Sequence, residues 1–263
     1  MNKEYKVLKE CLQTAGAVAR RHIGKVTYDL KSRANLVTKA DIACQKAILQ
    51  IIKKNFPDHD FLAEENGLKN TGSAWKWIID PIDGTTNFAH TMPHFSTSIA
   101  LAYQNEIVLG GVYDASADEM FLARKGKGAT LNGKKIQVSS VQKVENSLLV
   151  TGFPYGKELR MKELLPRFEA FLMACHDVRR LGSAALDLCW IAAGRFDGYW
   201  EDSLRPWDVA AGKLILEEAG GKVTTYNGKP WKQVETFGTQ TVASNGKIHR
   251  EMCAIIKKTN GLH

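Results

Sequence analysis

The segment WIIDPIDGTTNF, residues 77–88, constrains this chain most, because an apolar strand runs directly into two carboxylates separated by a proline. Pro81 fixes its own φ and pushes Asp80 toward an extended conformation, so no helix passes through the pair. Asp80 and Asp83 can then face one pocket. Gly84 permits a tight turn and a close backbone approach, and Thr85, Thr86 and Asn87 are residues that open helices. Hard oxygen ligands beside a helix N-terminus, whose free N–H groups attract anions, suit a divalent cation acting on a phosphate. The same letters also fit a strand, an Asx turn and a capped helix in which both acids only satisfy backbone donors. The rest of the chain decides between the two.

Periodicity sets the frame. Val7, Leu8, Cys11, Leu12, Ala15, Val18 and Ala19 recur at helical spacing and predict an amphipathic helix at the start of the chain. A second helix follows Asp41, with Ile42, Ala43, Ala47, Ile48, Ile51 and Ile52 as its stripe, and ends before Asn55-Phe56-Pro57. After Trp77–Ile79, strands are expected at Thr97–Tyr103, Ile107–Tyr113 and Met120–Arg124, then a hairpin over 129–138 around Asn132-Gly133. From Asn146 the order becomes alternation: strand Leu148–Thr151, helix Lys157–Ala174, an extended piece at Asp177–Arg179 and helix Ser183–Ala193. Strand Gly198–Glu201, helix Trp207–Ala219, strands Lys222–Thr225 and Thr241–Ala243, and helix Ile248–Lys258 complete it. Helices and a meander followed by alternation predict an α+β fold passing into α/β, in two closely packed halves, 1–145 and 146–263.

Composition narrows the class. With 44% hydrophobic and 24% charged residues, and only 7 prolines, the chain is neither disordered nor fibrous. Its N-terminus lacks the apolar core of a signal peptide and its apolar runs, such as Leu188 to Ala193, are too short to span a bilayer, so a cytoplasmic location is expected. The odd set of 5 cysteines contains no C-x-x-C and reads as buried free thiols. A net charge of +8 attracts anions, whether phosphorylated metabolites or nucleic acid. Lysines are spread rather than blocked, and no zinc-finger or RNP pattern occurs, so a mixed solvated surface is the simpler account. His90 and His94 share H-x-x-x-H spacing, but Pro93 breaks the helix that such a zinc pair needs. Nucleotide-binding glycine loops are lacking.

Four further acids sit where strands end or helices start: Glu64 and Glu65 in LAEEN, Asp208 in RPWDVAAG, and Asp41, which could be only the cap of its helix. Taken together, WIIDPIDGTTNF, LAEEN and WDVAAG closely resemble the inositol monophosphatase family of magnesium-dependent, lithium-sensitive phosphatases. The resemblance extends from the Asn35–Asp41 segment to the Ala219-Gly220-Gly221 turn. It implies a layered αβαβα sandwich of the sugar-phosphatase type and a homodimer. It also implies that Glu64, Asp80, the Ile82 carbonyl, Asp83 and Asp208 ligate two or three Mg²⁺ ions, with Asp80 bridging. Thr85 and Asp41 would orient and deprotonate the attacking water, and the Gly84 and Thr85 N–H groups would hold the phosphate. Substrate hydroxyls would meet Asp83, Ala184, Glu201 and Asp208. Lys31 falls in the loop that covers the metals in relatives. Asn35, where many relatives have an acid, and Asp202, expected to alter the sugar pocket, depart from the pattern.

The expected activity is hydrolysis of inositol 1-phosphate or a related small polyol phosphate by metal-activated water, as a phosphoric monoester hydrolase. The same chemistry could serve fructose 1,6-bisphosphate, histidinol phosphate or a 3′-phosphoadenosine nucleotide. An alternative of another class is a nucleic-acid or transcription-associated binding protein.

Overall fold

The computed structural model describes residues 1–25, 28–32, 35–65 and 67–259, without the side chains of 28–32, 35–37 and 159. Helix α1 (Asn2–His22) buries Leu8, Cys11, Leu12 and Ala15 along one face, as its period dictates. Strands β1 (Tyr28–Ser32) and β2 (Asn35–Thr38) pair antiparallel and lead into α2 (Lys39–Asn55). The cap of α2 is Thr38 and not Asp41. The Thr38 hydroxyl accepts from the Ala40 and Asp41 N–H groups, while the Thr38 N–H donates to Asp41 Oδ2 at 2.8 Å, a reciprocal capping box.

Next come β3 (Asp60–Ala63), β4 (Gly67–Lys69), β5 (Trp75–Asp83), the short α3 (Thr85–Ala89), β6 (Ser96–Tyr103), β7 (Glu106–Asp114), β8 (Glu119–Arg124), β9 (Ala129–Leu131) and β10 (Lys134–Lys135). The strands from β3 onward form an 8-stranded sheet in the order β10-β9-β8-β7-β6-β5-β3-β4, antiparallel except where β3 meets β5. β11 (Leu148–Thr151) passes through a 3₁₀ turn, Lys157–Leu159, to α4 (Met161–Ala174). The single helix expected from Lys157 is thus broken at Arg160. β12 (Asp177–Arg179), α5 (Ala184–Ala192), β13 (Gly198–Asp202), α6 (Pro206–Glu218), β14 (Lys222–Thr224), β15 (Gln240–Ser244) and α7 (His249–Thr259) follow. Their strands join β11 in a mixed 5-stranded sheet ordered β12-β11-β13-β15-β14.

The layers run α1/α2, large sheet, α5/α6, small sheet, α4/α7, the αβαβα sandwich that the resemblance implied. Side-chain alternation along β5 and β13 explains how one strand serves two cores. Trp77 and Ile79 pack toward Leu8, Leu12 and Ile48, whereas Ile78 joins Leu188, Ile215 and Tyr199 in the central layer. Trp200 faces the outer layer with Phe171 and Met252. Burial on both faces is why β5 reads as a continuous apolar run. Close contact also demands glycine: a Cβ on Gly110 would lie 2.8 Å from the Ala211 carbonyl of α6. The ends of β3, β5 and β13 and the starts of α2, α5 and α6 meet at one side of this stack, around a single cavity.

Candidate active site

The cavity has a volume of about 560 Å³, and Glu64, Asp80, Ile82, Asp83, Gly84, Thr85, Ala184, Glu201 and Asp208 all line it. A β-bulge makes this possible. Residues three apart on a regular strand point to opposite faces, but pairing with β6 shifts between Asp80↔Ser98 and Asp83↔Ser96, and the added residue turns both acids inward. Asp80 Oδ1 accepts from the Ile82 N–H at 3.1 Å, and the Thr97 hydroxyl holds the Pro81 carbonyl at 3.0 Å. Gly84 then turns the chain at φ 90°, where a Cβ would stand 3.1 Å from the His94 carbonyl and 3.2 Å from that of Gly182.

Behind this turn the Thr85 hydroxyl lies 3.0 Å from the Ile82 carbonyl and 3.2 Å from Asp41 Oδ1. One hydroxyl proton serves only one of them at a time. Asp41 is fully buried behind Thr85, and its Oδ2 is fixed by the Thr38 N–H and by the Thr38 hydroxyl at 2.5 Å. Glu64 stands at the end of β3 with its N–H on the Ile79 carbonyl at 3.2 Å. The neighbouring Glu65 N–H donates to Gln45 Oε1 at 3.0 Å. From α5, the Ser183 hydroxyl and the Ala185 N–H donate to Asp83 Oδ2 at 2.5 and 2.8 Å. Asp208 sits in the first turn of α6 and accepts from the Arg205 N–H at 2.7 Å. Glu201 takes a hydrogen bond from the Tyr199 hydroxyl.

Electrostatics gives these acids one character. Burial, then the charges of Glu64, Asp83, Asp208 and Asp41, push the Asp80 pKa well up. Burial raises Asp83 to about 6 against the pull of its Ser183 and Ala185 bonds, and raises Glu201 to about 7. Asp208 is raised by burial and by Asp83, and Asp41 by burial, with the charge of Glu65 adding to it. Carboxylates crowded out of water without matching cations are unstable as anions. Among the described residues no three His, Cys, Asp or Glu side chains converge tightly enough to be a ready-made ligand group. The donors nevertheless fit a hard divalent cation: carboxylate oxygens and a carbonyl line one cavity, and at Asp80, Asp83 and Asp208 burial disfavours the anion, which a cation would neutralise.

The remaining sequence candidates lie elsewhere. His94 is buried edge-on to Trp190 at 5.1 Å, a packing role. Asp202 does not line this cavity, contrary to the expectation for the sugar pocket; alternation along β13 turns it to the opposite face, toward Arg160 and Arg167. The side chains of Lys31 and Asn35 lie outside the described part. Residues without an assigned role in the sequence reading also reach the site: Ser183 on Asp83, and Tyr155, Arg180 and Asp187 on the walls. Asp187 had a readable signal, a lone acid in the apolar run of α5. For Tyr155 there was none.

A family model described as the inositol monophosphatase family matches residues 1–260. An inositol-1-monophosphatase from Synechocystis is 43% identical over 256 residues, 96% of this chain and 88% of that protein. The protein named Nus factor SuhB from Pasteurella multocida is 44% identical over 200 residues, 76% of this chain and 75% of its own. Among solved structures, inositol monophosphatase from Anabaena superimposes with a TM-score of 0.87 at 40% identity, covering 98% of this chain and 97% of that one. The extragenic suppressor protein suhB of Bartonella henselae gives 0.90 at 36% identity over 97% and 98%.

Proposed function

The chain belongs to the inositol monophosphatase family, and from that premise we propose that it is a magnesium-dependent phosphomonoesterase, releasing inorganic phosphate from inositol 1-phosphate or a similar small polyol phosphate. The observation that carries this reading is Asp80, raised first by burial and then by neighbouring acids, of which Glu64, Asp83 and Asp208 line the same cavity. In the proposal Glu64, Asp80, the Ile82 carbonyl, Asp83 and Asp208 hold two or three Mg²⁺ ions. When bound, the ions supply Lewis acidity, lowering the pKa of water and neutralising charge on the leaving oxygen.

The chain's own groups do the rest. With the Ile82 carbonyl engaged elsewhere, the Thr85 hydroxyl turns its proton to Asp41 and leaves its lone pairs to accept from the attacking water. Asp41, locked by Thr38 and raised by burial, is the proton acceptor at the end of that path. The Gly84 and Thr85 N–H groups would donate to the phosphoryl oxygens. Asp83, the Ala184 backbone, Glu201 and Asp208 receive the hydroxyls of the alcohol. No side chain needs to form a phosphoenzyme.

Phosphate release from sugar, polyol, amino-alcohol and nucleotide monophosphates, with and without Mg²⁺ and Li⁺, tests the reading. Magnesium-dependent, lithium-inhibited turnover that is fastest on inositol 1-phosphate is expected. Preference for fructose 1,6-bisphosphate, histidinol phosphate or a 3′-phosphoadenosine nucleotide would keep the chemistry and change the substrate. A flat profile would favour a second reading, which rests on the relatives named Nus factor SuhB: a transcription-associated protein binding nucleic acid or protein through its basic surface. Among the described residues no helix is long and apolar enough to cross a membrane. On the family resemblance, the proposal takes the chain as a homodimer.

A further inference from the structure

One wall of the cavity is built by a segment that supplies none of the acids. The Thr151 hydroxyl, at the end of β11, donates to the Trp200 carbonyl at 2.6 Å, and the chain from Gly152 to Arg160 then crosses beside the cavity before α4 begins. Gly152 lies against Glu201 so closely that a Cβ would stand 2.0 Å from Glu201 Oε2. Gly152, Phe153, Pro154 and Tyr155 all line the cavity. Tyr155 is 56% exposed. A tyrosine phenol, with an ordinary pKa of about 10, is neutral at neutral pH, so its hydroxyl stands as a donor on the cavity that Glu64, Asp80, Asp83 and Asp208 also line.

The far end of this strap is fixed by charge. Arg160 Nη1 is 2.6 Å from Asp202 Oδ1 and Nη2 is 3.2 Å from Asp202 Oδ2, and Arg160 also meets Glu163 at 2.8 Å and the Ser203 hydroxyl at 2.8 Å. Arg167 Nη1 adds a bond to Asp202 at 3.2 Å. Asp202 is only 4% exposed, so this pair is far less screened than a surface one. Strand β13 therefore carries Glu201 toward the substrate cavity and, on its other face, the anchor of the strap.

We propose that Gly152–Arg160 is a substrate-contacting strap, with the Tyr155 hydroxyl donating to a phosphoryl oxygen and the Arg160–Asp202 ion pair acting as the positioning clasp that holds it there. The inference rests on the phosphatase reading above. Steady-state kinetics on inositol 1-phosphate with Mg²⁺, for the wild type, Tyr155→Phe, Asp202→Asn and the double variant, tests it.

Tyr155→Phe is expected to raise KM by roughly ten- to a hundredfold, the range for a hydrogen bond to a charged group, and Asp202→Asn by less, each with a smaller effect on kcat. Because the clasp acts through Tyr155, the double variant should show a KM well below the product of the two effects. Arg160→Lys, which keeps the charge and loses the fork, should fall between wild type and Asp202→Asn. A readout free of turnover is trypsin cleavage at Lys157 and Arg160 in the native protein, faster in Asp202→Asn and unchanged in Tyr155→Phe. Multiplicative KM effects, or equal cleavage of Asp202→Asn and wild type, would overturn the clasp, and an unchanged KM in Tyr155→Phe would overturn the donor. A wild type inactive on every monoester would sink the phosphatase reading and the donor with it. Cleavage alone would then decide the clasp.

Discussion

At the scale of single residues, Asp83 and its holder Ser183 separate charge from shape. In Asp83→Asn the amide oxygen can still accept from Ser183 and Ala185, so the local backbone survives while the anion is lost. Magnesium-dependent turnover should fall by more than about 100-fold, beyond the range for outer-shell changes, with a melting temperature close to wild type. Near-normal turnover would remove Asp83 from the proposed ligand set. Ser183 precedes α5 but makes no side-chain cap bond there, so Ser183→Ala removes a carboxylate-orienting hydroxyl without uncapping the helix. The expected result is a roughly 10-fold higher Mg²⁺ requirement with little loss of stability, read from activity against Mg²⁺ concentration. A lowered melting temperature with an unchanged requirement would make Ser183 a packing residue instead.

At the scale of elements, α2 couples a helix cap to the site. Thr38→Val keeps the volume but removes the hydroxyl that holds Asp41 and caps the helix, and should cost about 1 kcal/mol of stability. If Asp41 is the proton acceptor, kcat should also fall, with KM much less affected. Loss of stability with kcat intact would confine Thr38 to capping. What could be read in advance follows the same division. Helices α1 and α2 carry their own 3.6-residue periodicity, while α5, α6 and the meander β6–β8 show as apolar runs bounded by turn residues, so their residues declare them. The bulge between Asp80 and Asp83 does not, because its register is set by β6, distant in sequence. Nor does the break at Arg160, whose guanidinium is drawn to Asp202 on another strand. Asp41, Glu64, Asp80, Asp83 and Asp208 stand at element boundaries, but their roles, and Glu201 inside β13, were legible only through the family resemblance; the opposite facing of Asp202 follows from strand alternation once Glu201 is placed, whereas Tyr155 depended on how layers stack.

For the whole molecule, the layered stack converges acids carried by strands of both sheets and by α6 on one cavity, and this couples stability to pH and to metal. The folded pKa of about 6 for Asp83 and about 7 for Glu201 stands above the roughly 3.9 and 4.3 of an unfolded chain, and Asp80 and Asp208 shift the same way. Between those values the folded, metal-free protein binds more protons than the unfolded chain, so the derivative of unfolding free energy with pH is negative. The contribution of these groups is complete below about pH 4 and is lost as pH rises through 6 and 7. These acids should therefore lower the metal-free melting temperature from pH 5.5 to pH 8, against an opposite contribution from His59, His94 and His249, whose pKa values burial lowers. A cation that binds the ionised carboxylates stabilises only the folded state, so added Mg²⁺ should raise the melting temperature more at pH 8 than at pH 5.5. Scanning calorimetry at the two pH values, with chelator and with Mg²⁺, decides it. A melting temperature that does not respond to Mg²⁺ at either pH would mean that the crowded acids are already compensated within the fold and have no need of a cation.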